Sequence, residues 1–152
     1  MELRSAALAA VLVTVLSGCG PIGPFPGGRL YGEVVPGPVE DWTFTDEHLT
    51  IAVESRPGFP HWVTTICFTH EGRLYVPALR PQGKRWPFFV LENSHVRLKI
   101  GDKIYLGRAH RVLDESQFDG LLAAAREKYP QLGVSEQDAL PEIWVFRIDP
   151  VG

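Results

Sequence analysis

The chain has 152 residues, and 15 lysines and arginines stand against 18 aspartates and glutamates for a formal net charge of −3. That balance excludes the strongly basic face that nucleic-acid binding requires. The length supplies one ordinary domain with a real core.

The chain starts with Glu2 and Arg4, and an apolar run, Ala6–Leu16, follows. The run is too short to span a bilayer as a helix, which needs about 20 residues. It has the length of the apolar region of a secretory signal, with small residues behind it. A buried N-terminal helix is the other reading, and it has to explain the stop at Ser17-Gly18. Leu16-Ser17-Gly18-Cys19 resembles the lipobox of bacterial lipoproteins. The resemblance implies cleavage before Cys19, lipidation of its thiol, and a place in the bacterial cell envelope, held to the membrane without a spanning helix. Several acyl chains bind far more firmly than the single chain that gives marginal attachment. Residues 1–18 then form the signal, 19–28 the lipidated cysteine with a proline- and glycine-rich tether, and 29–152 the folded domain. The prolines keep the tether extended and the glycines keep it from becoming a helix. With Cys19 lipidated, Cys67 has no partner for a disulfide. It lies in "VTTICFTH" and reads most simply as a small buried hydrophobe.

The domain reads as strands joined by tight turns. "RLYGEVV" (29–35) comes first and closes at Pro36-Gly37-Pro38. "LTIAVES" (49–55) stops at "RPGFP". "WVTTICFTH" (62–70) and "RLYVPAL" (73–79) flank Glu71-Gly72, which reads as a hairpin turn. "RWPFFVLENS" (85–94) is a helix with Pro87 near its start, where the missing N–H costs nothing. "HVRLKI" (95–100) alternates, with Val96, Leu98 and Ile100 on one face. Gly101-Asp102 then turns the chain into "KIYLGRAHRVL" (103–113), the clearest hairpin in the sequence. "SQFDGLLAAAREKYP" (116–130) is a helix with Ser116 as its N-cap and Pro130 as its stop. "EIWVFRID" (142–149) is the last strand. Many short strands, hairpin links and few helices predict a mainly β domain in the form of an antiparallel barrel.

Residues 60–113 carry a second resemblance. A hairpin containing "EGRLYV" leads to a basic loop, a short helix entered through Trp86-Pro87, an Asn93-Ser94 turn and the hairpin "VRLKIGDKIYLGRAHRV". This order is similar to the split β-barrel flavin-binding families, the pyridoxamine-phosphate-oxidase-like (PNPOx-like) and deazaflavin-dependent reductase groups. Asn93, Val96, Gly107, Ala109 and Val112 stand at the matching places, while Ser94 replaces the commoner proline. The resemblance implies a homodimer holding FMN or F420 near its interface. It places Thr64 and Thr65, then Arg80, Gln82, Lys84, Arg85 and Trp86, where such families meet the cofactor.

The residue chemistry is of the same kind. A phosphate takes guanidinium forks or ammonium groups plus neutral donors. Arg80, Lys84 and Arg85 surround Gly83, and Trp86 offers a ring for stacking. Thr65, Arg80, Lys84, Arg85 and Trp86 are therefore the candidate cofactor-binding residues. A solvated basic loop with its tryptophan in the core, and no cofactor at all, is the alternative. His61, beside Trp62, opens the strand toward Thr65 and faces either a pocket or the surface. The histidines show no metal-ligand spacing, and no nucleophile-elbow or phosphate-loop motif is present. The sequence names no catalytic residue. A membrane-anchored oxidoreductase-like barrel and a non-enzymatic lipoprotein using the same barrel as a binding module both remain open.

Overall fold

The computed structural model describes residues 27–131 and 142–151. The lipobox, Cys19 and the tether up to residue 26 lie outside the described residues. Among the described residues there are eight strands: β1 (Glu33–Val34), β2 (Ile51–Ser55), β3 (His61–Thr65), β4 (Phe68–His70), β5 (Arg73–Leu79), β6 (His95–Ile100), β7 (Lys103–Arg111) and β8 (Ile143–Pro150). Two α-helices accompany them, α1 (Trp86–Glu92) and α2 (Phe118–Lys128). The main sheet runs β3-β2-β6-β7-β8-β5-β4, and β1 pairs with β7 in parallel. All other pairings are antiparallel.

Closure follows from this order. The two edge strands, β3 and β4, are joined through Ile66 and Cys67 alone. A sheet whose opposite edges are joined so closely has to roll up into a barrel. The sequence predicts one strand over 62–70. The chain instead breaks at Ile66-Cys67, so β3 pairs with β2 and β4 pairs with β5. Tyr129 holds the break, because its hydroxyl accepts from the Cys67 N–H at 3.2 Å and lies 2.7 Å from both the Cys67 and Leu49 carbonyls. Burial pushes the Tyr129 phenol up to about 12, so its proton stays available to those carbonyls. Cys67 is fully buried. Burial raises its thiol pKa against the downward pull of Lys128, whose Nζ lies 3.7 Å from Sγ.

Alternation puts Val53, Val76, Val96, Leu98, Ala109, Phe146 and Ile148 inside the barrel. Burying a side chain of the Val, Leu or Phe class contributes about 1.5–3 kcal/mol, so this interior is the main source of stability. Helix α1 covers one end of it with Trp86 and Val90. Helix α2 packs outside, where Leu121 and Tyr129 meet Phe68, Tyr75 and Val145. A third apolar group, Leu30, Trp62 and Ile104, lies under the N-terminal segment on the other outer face. Every buried apolar residue of the three groups falls between Leu30 and Ile148.

The two-residue turn between Ile100 and Lys103 forms as the sequence predicts, with Gly101 at φ +62°. Gly107 is required for a different reason: a Cβ there would lie 2.7 Å from Ile148 Cγ2. Other expectations shift. Of 29–35 only Glu33–Val34 is strand, because the backbone of Leu30 is bound by side chains instead: its N–H donates to Glu54 and its carbonyl accepts from Arg97. Ser116 is not the cap of the second helix. The N-cap of α2 is Gln117, which makes no side-chain cap bond; Asp114 instead caps the 3₁₀ turn Glu115–Gln117 ahead of it, accepting from the Ser116 N–H at 3.0 Å and its hydroxyl at 2.6 Å. A further 3₁₀ turn over Thr43–Glu47 has no counterpart in the sequence reading.

Candidate functional site

The basic loop between β5 and α1 divides in two. Arg80 has a left-handed backbone at φ +49° and donates its N–H to the Glu142 carbonyl at 2.8 Å. Arg80, Gly83 and Lys84 line a shallow open cleft beside Leu79. The carboxylate of Glu142 stands on this side of the loop, where it accepts from Gln82 and from Trp144 Nε1. Arg85 turns the other way, and its guanidinium carbon lies 5.7 Å from the centre of the Phe89 ring.

On that second side the fold gathers residues distant in sequence. Arg56, in the β2–β3 turn, places its guanidinium 4.9 Å from the Phe89 ring and 5.1 Å from the Phe59 ring. His61, at the start of β3, meets Phe89 edge-on at 5.7 Å. Burial lowers the His61 pKa first, and the neighbouring Arg85 and Arg56 charges lower it further. Cation–π contacts of this kind contribute about 0.5–1 kcal/mol when exposed. They hold the guanidinium planes but leave the edge N–H groups free to donate.

The predicted residues thus fall into four places, Thr65 on β3 being the fourth. Arg80 and Lys84 share one cleft, Arg85 joins Arg56 and His61, and Trp86 lies in the core. Trp86 is 4% exposed and packs on Phe146 at 5.3 Å, so its ring fills the barrel end and is not presented to a ligand. Thr65 is half-buried and pairs with Ile51. By strand alternation it shares a face with Val63 and His61, about 13 Å along β3 from His61. Arg56 and Phe59 were missed by the sequence reading. The hairpin pairing of Ser55 with His61 would have found Arg56, since it sets the turn residue beside the histidine. Nothing local signals the docking of α1 that brings Phe89 and Arg85 to them. Among the described residues no three His, Cys, Asp or Glu side chains converge as a metal site, and no helix is long and apolar enough to cross a membrane.

Comparison with protein-family models finds no match, and comparison with curated proteins finds none. Solved structures do resemble the chain. A candidate pyridoxamine 5′-phosphate oxidase from Listeria innocua aligns with 70% of this chain and 87% of its own, at 22% identity and a TM-score of 0.53. An F420-H2 dependent reductase aligns with 80% of this chain and 100% of its own, at 16% identity and a TM-score of 0.53. A structure described as a domain-swapped dimer aligns with 67% of this chain and 81% of its own, at 19% identity and a TM-score of 0.53. The likeness defines the fold: a mainly antiparallel, PNPOx-like split β-barrel with two helices.

Proposed function

We propose that this chain is a lipid-anchored envelope protein whose split barrel binds a flavin-type cofactor, FMN or F420, and serves oxidoreductase chemistry. One observation carries the cofactor reading: on a fold of this class, Arg85 and Arg56 sit at the barrel rim with no carboxylate partner among the described residues. A phosphate fits that arrangement, because guanidinium forks bind it with two parallel N–H donors. A bound flavin or deazaflavin supplies hydride transfer; the protein binds and orients it. Arg85 is the central residue of the site. Arg80 and Lys84 add positive charge along the same loop, Thr65 offers a hydroxyl further along β3, and Trp86 supports the loop from inside the core. Cys19, behind Leu16-Ser17-Gly18, supplies the anchor, and a homodimer would enclose the open rim.

The test is a titration of the chain beginning at Gly20, which retains every residue of the three apolar groups. FMN or F420 should bind with micromolar affinity or tighter. A protein that binds neither overturns the cofactor reading. For the anchor, Cys19→Ala should abolish lipidation and cleavage, and normal maturation of that variant removes it. The second reading is a binding module without redox chemistry. The burial of Trp86 favours it, because the loop then offers no ring on which a flavin can stack.

A further inference from the structure

We infer that Arg56, His61 and Arg85 together form a phosphate-binding cradle built on Phe89, and that Arg56 and His61 contribute to anion recognition as directly as Arg85 does. The three side chains come from three separate segments: the β2–β3 turn, the first residue of β3, and the residue that precedes α1. They meet at one half-buried ring, at 4.9 Å, 5.7 Å and 5.7 Å from its centre. The turn is built for this. Arg56 adopts φ +60°, a conformation that side-chain-bearing residues rarely take, and its carbonyl accepts from the Phe59 N–H at 3.0 Å. Such a backbone needs a reason to persist, and here it accompanies a guanidinium that stands over both Phe59 and Phe89.

Among the described residues the charge is uncompensated, as at Arg80 and Arg111, and what sets the cluster apart is that two such arginines and a histidine share one ring. Arg97 pairs with Glu54 and Arg147 pairs with Asp149, whereas Arg56 and Arg85 have no ion pair among the described residues. The field of both arginines reaches His61, where it works against protonation. An anion placed between the guanidinium edges would reverse that field and let the imidazole donate as well. The Arg80 end of the loop is a poorer place for it, because the Glu142 carboxylate lies there.

The chemistry recognised is a phosphate monoester or diester. Its bearer is either the cofactor of the proposed function or a phospholipid headgroup, and only the first rests on the flavin reading. Calorimetry on the chain from Gly20 separates these. The probes are FMN, riboflavin, inorganic phosphate, and vesicles of phosphatidylglycerol or phosphatidylcholine. Arg56→Gly and Arg85→Ala are the variants, with His61→Gln as a third. The glycine tolerates the left-handed backbone, so Arg56→Gly keeps the turn. The expected result is that FMN binds at least about tenfold tighter than riboflavin, and that each variant lowers this ratio by about tenfold. If FMN and riboflavin bind equally, the cradle is overturned while the flavin reading stands. If no flavin binds but inorganic phosphate does, and Arg56→Gly abolishes it, the cradle stands and the flavin reading falls. Binding only to phosphatidylglycerol vesicles, lost in Arg56→Gly and Arg85→Ala, assigns the phosphate to lipid. An Arg56→Gly protein with wild-type affinity for every probe overturns the proposal, as does a wild-type protein that binds none.

Discussion

Arg97, on β6, and Arg56, in the turn just beyond β2, have opposite surroundings. Arg97 reaches across from β6 to Glu54 on β2, directly opposite in register, with its Nη1 2.9 Å from Oε2. Glu54 is 4% exposed, and the pair also holds both backbone polar groups of Leu30. A charge this deeply buried has to find its partner inside the chain. Arg56 stands in solvent over two phenylalanine rings and has no such obligation. The contrast separates two settings of the same side chain: the Glu54–Arg97 clamp fixes the N-terminal segment to the barrel, while Arg56 and Arg85 have no carboxylate partner among the described residues.

The sharpest attempt to break this comparison is Glu54→Ala. It leaves Arg97 without its partner and the Leu30 N–H without an acceptor. The expected loss is about 3 kcal/mol, the low end for a broken buried pair since Arg97 is partly exposed. Urea unfolding measures it, and a loss under about 0.5 kcal/mol, the range of an ordinary surface substitution, would mean that the clamp is no more structural than Arg56. Tyr129→Phe extends the comparison to the strand break. It removes the group that binds the Cys67 N–H and faces two carbonyls, and it should cost about 1–2 kcal/mol for the buried groups left unpaired. A variant with an unchanged urea midpoint would show that the β3–β4 crossover holds without it.

The smallest effect is electrostatic and sharpens the other half. His61 has its pKa lowered by burial first and then by Arg85 and Arg56. Arg85→Ala should therefore raise the His61 midpoint toward, but not to, the ordinary histidine value, as read by NMR titration. The linkage has a definite sign. Above the unfolded value of about 6.5 the imidazole is neutral in both states and pH has no effect through it. As pH falls below that value the unfolded chain takes up the proton first, so folding loses stability until the folded midpoint is passed. Arg85→Ala should shrink that acid loss. A His61 midpoint that does not move in Arg85→Ala would mean that the guanidinium is not beside the imidazole in solution.

Much of this protein was legible in its sequence because the relevant physics is local. Alternation in "HVRLKI" set Val96, Leu98 and Ile100 on the inner face, and Gly101 marked the hairpin because only a turn with positive φ closes two strands so tightly. The order of strands and helices was enough to point to a split barrel, and the basic loop was visible as a cluster of like charges. What the sequence missed depends on contacts between distant segments. "WVTTICFTH" alternates well enough for one strand, and only the closing of the barrel breaks it at Ile66-Cys67, where Tyr129 supplies the lost backbone partners. Trp86 reads either as a loop ring free for stacking or as a core tryptophan, and only the docking of α1 decides for the core. Arg56 and Arg85 are separated by strands β3, β4 and β5 in the chain, so nothing in their spacing foretells a shared ring. Local hydrophobic period and turn chemistry determined the elements. The tertiary fold alone decided which charges meet, because only the packed helix and the paired hairpin bring Arg56 and Arg85 to the one Phe89 ring.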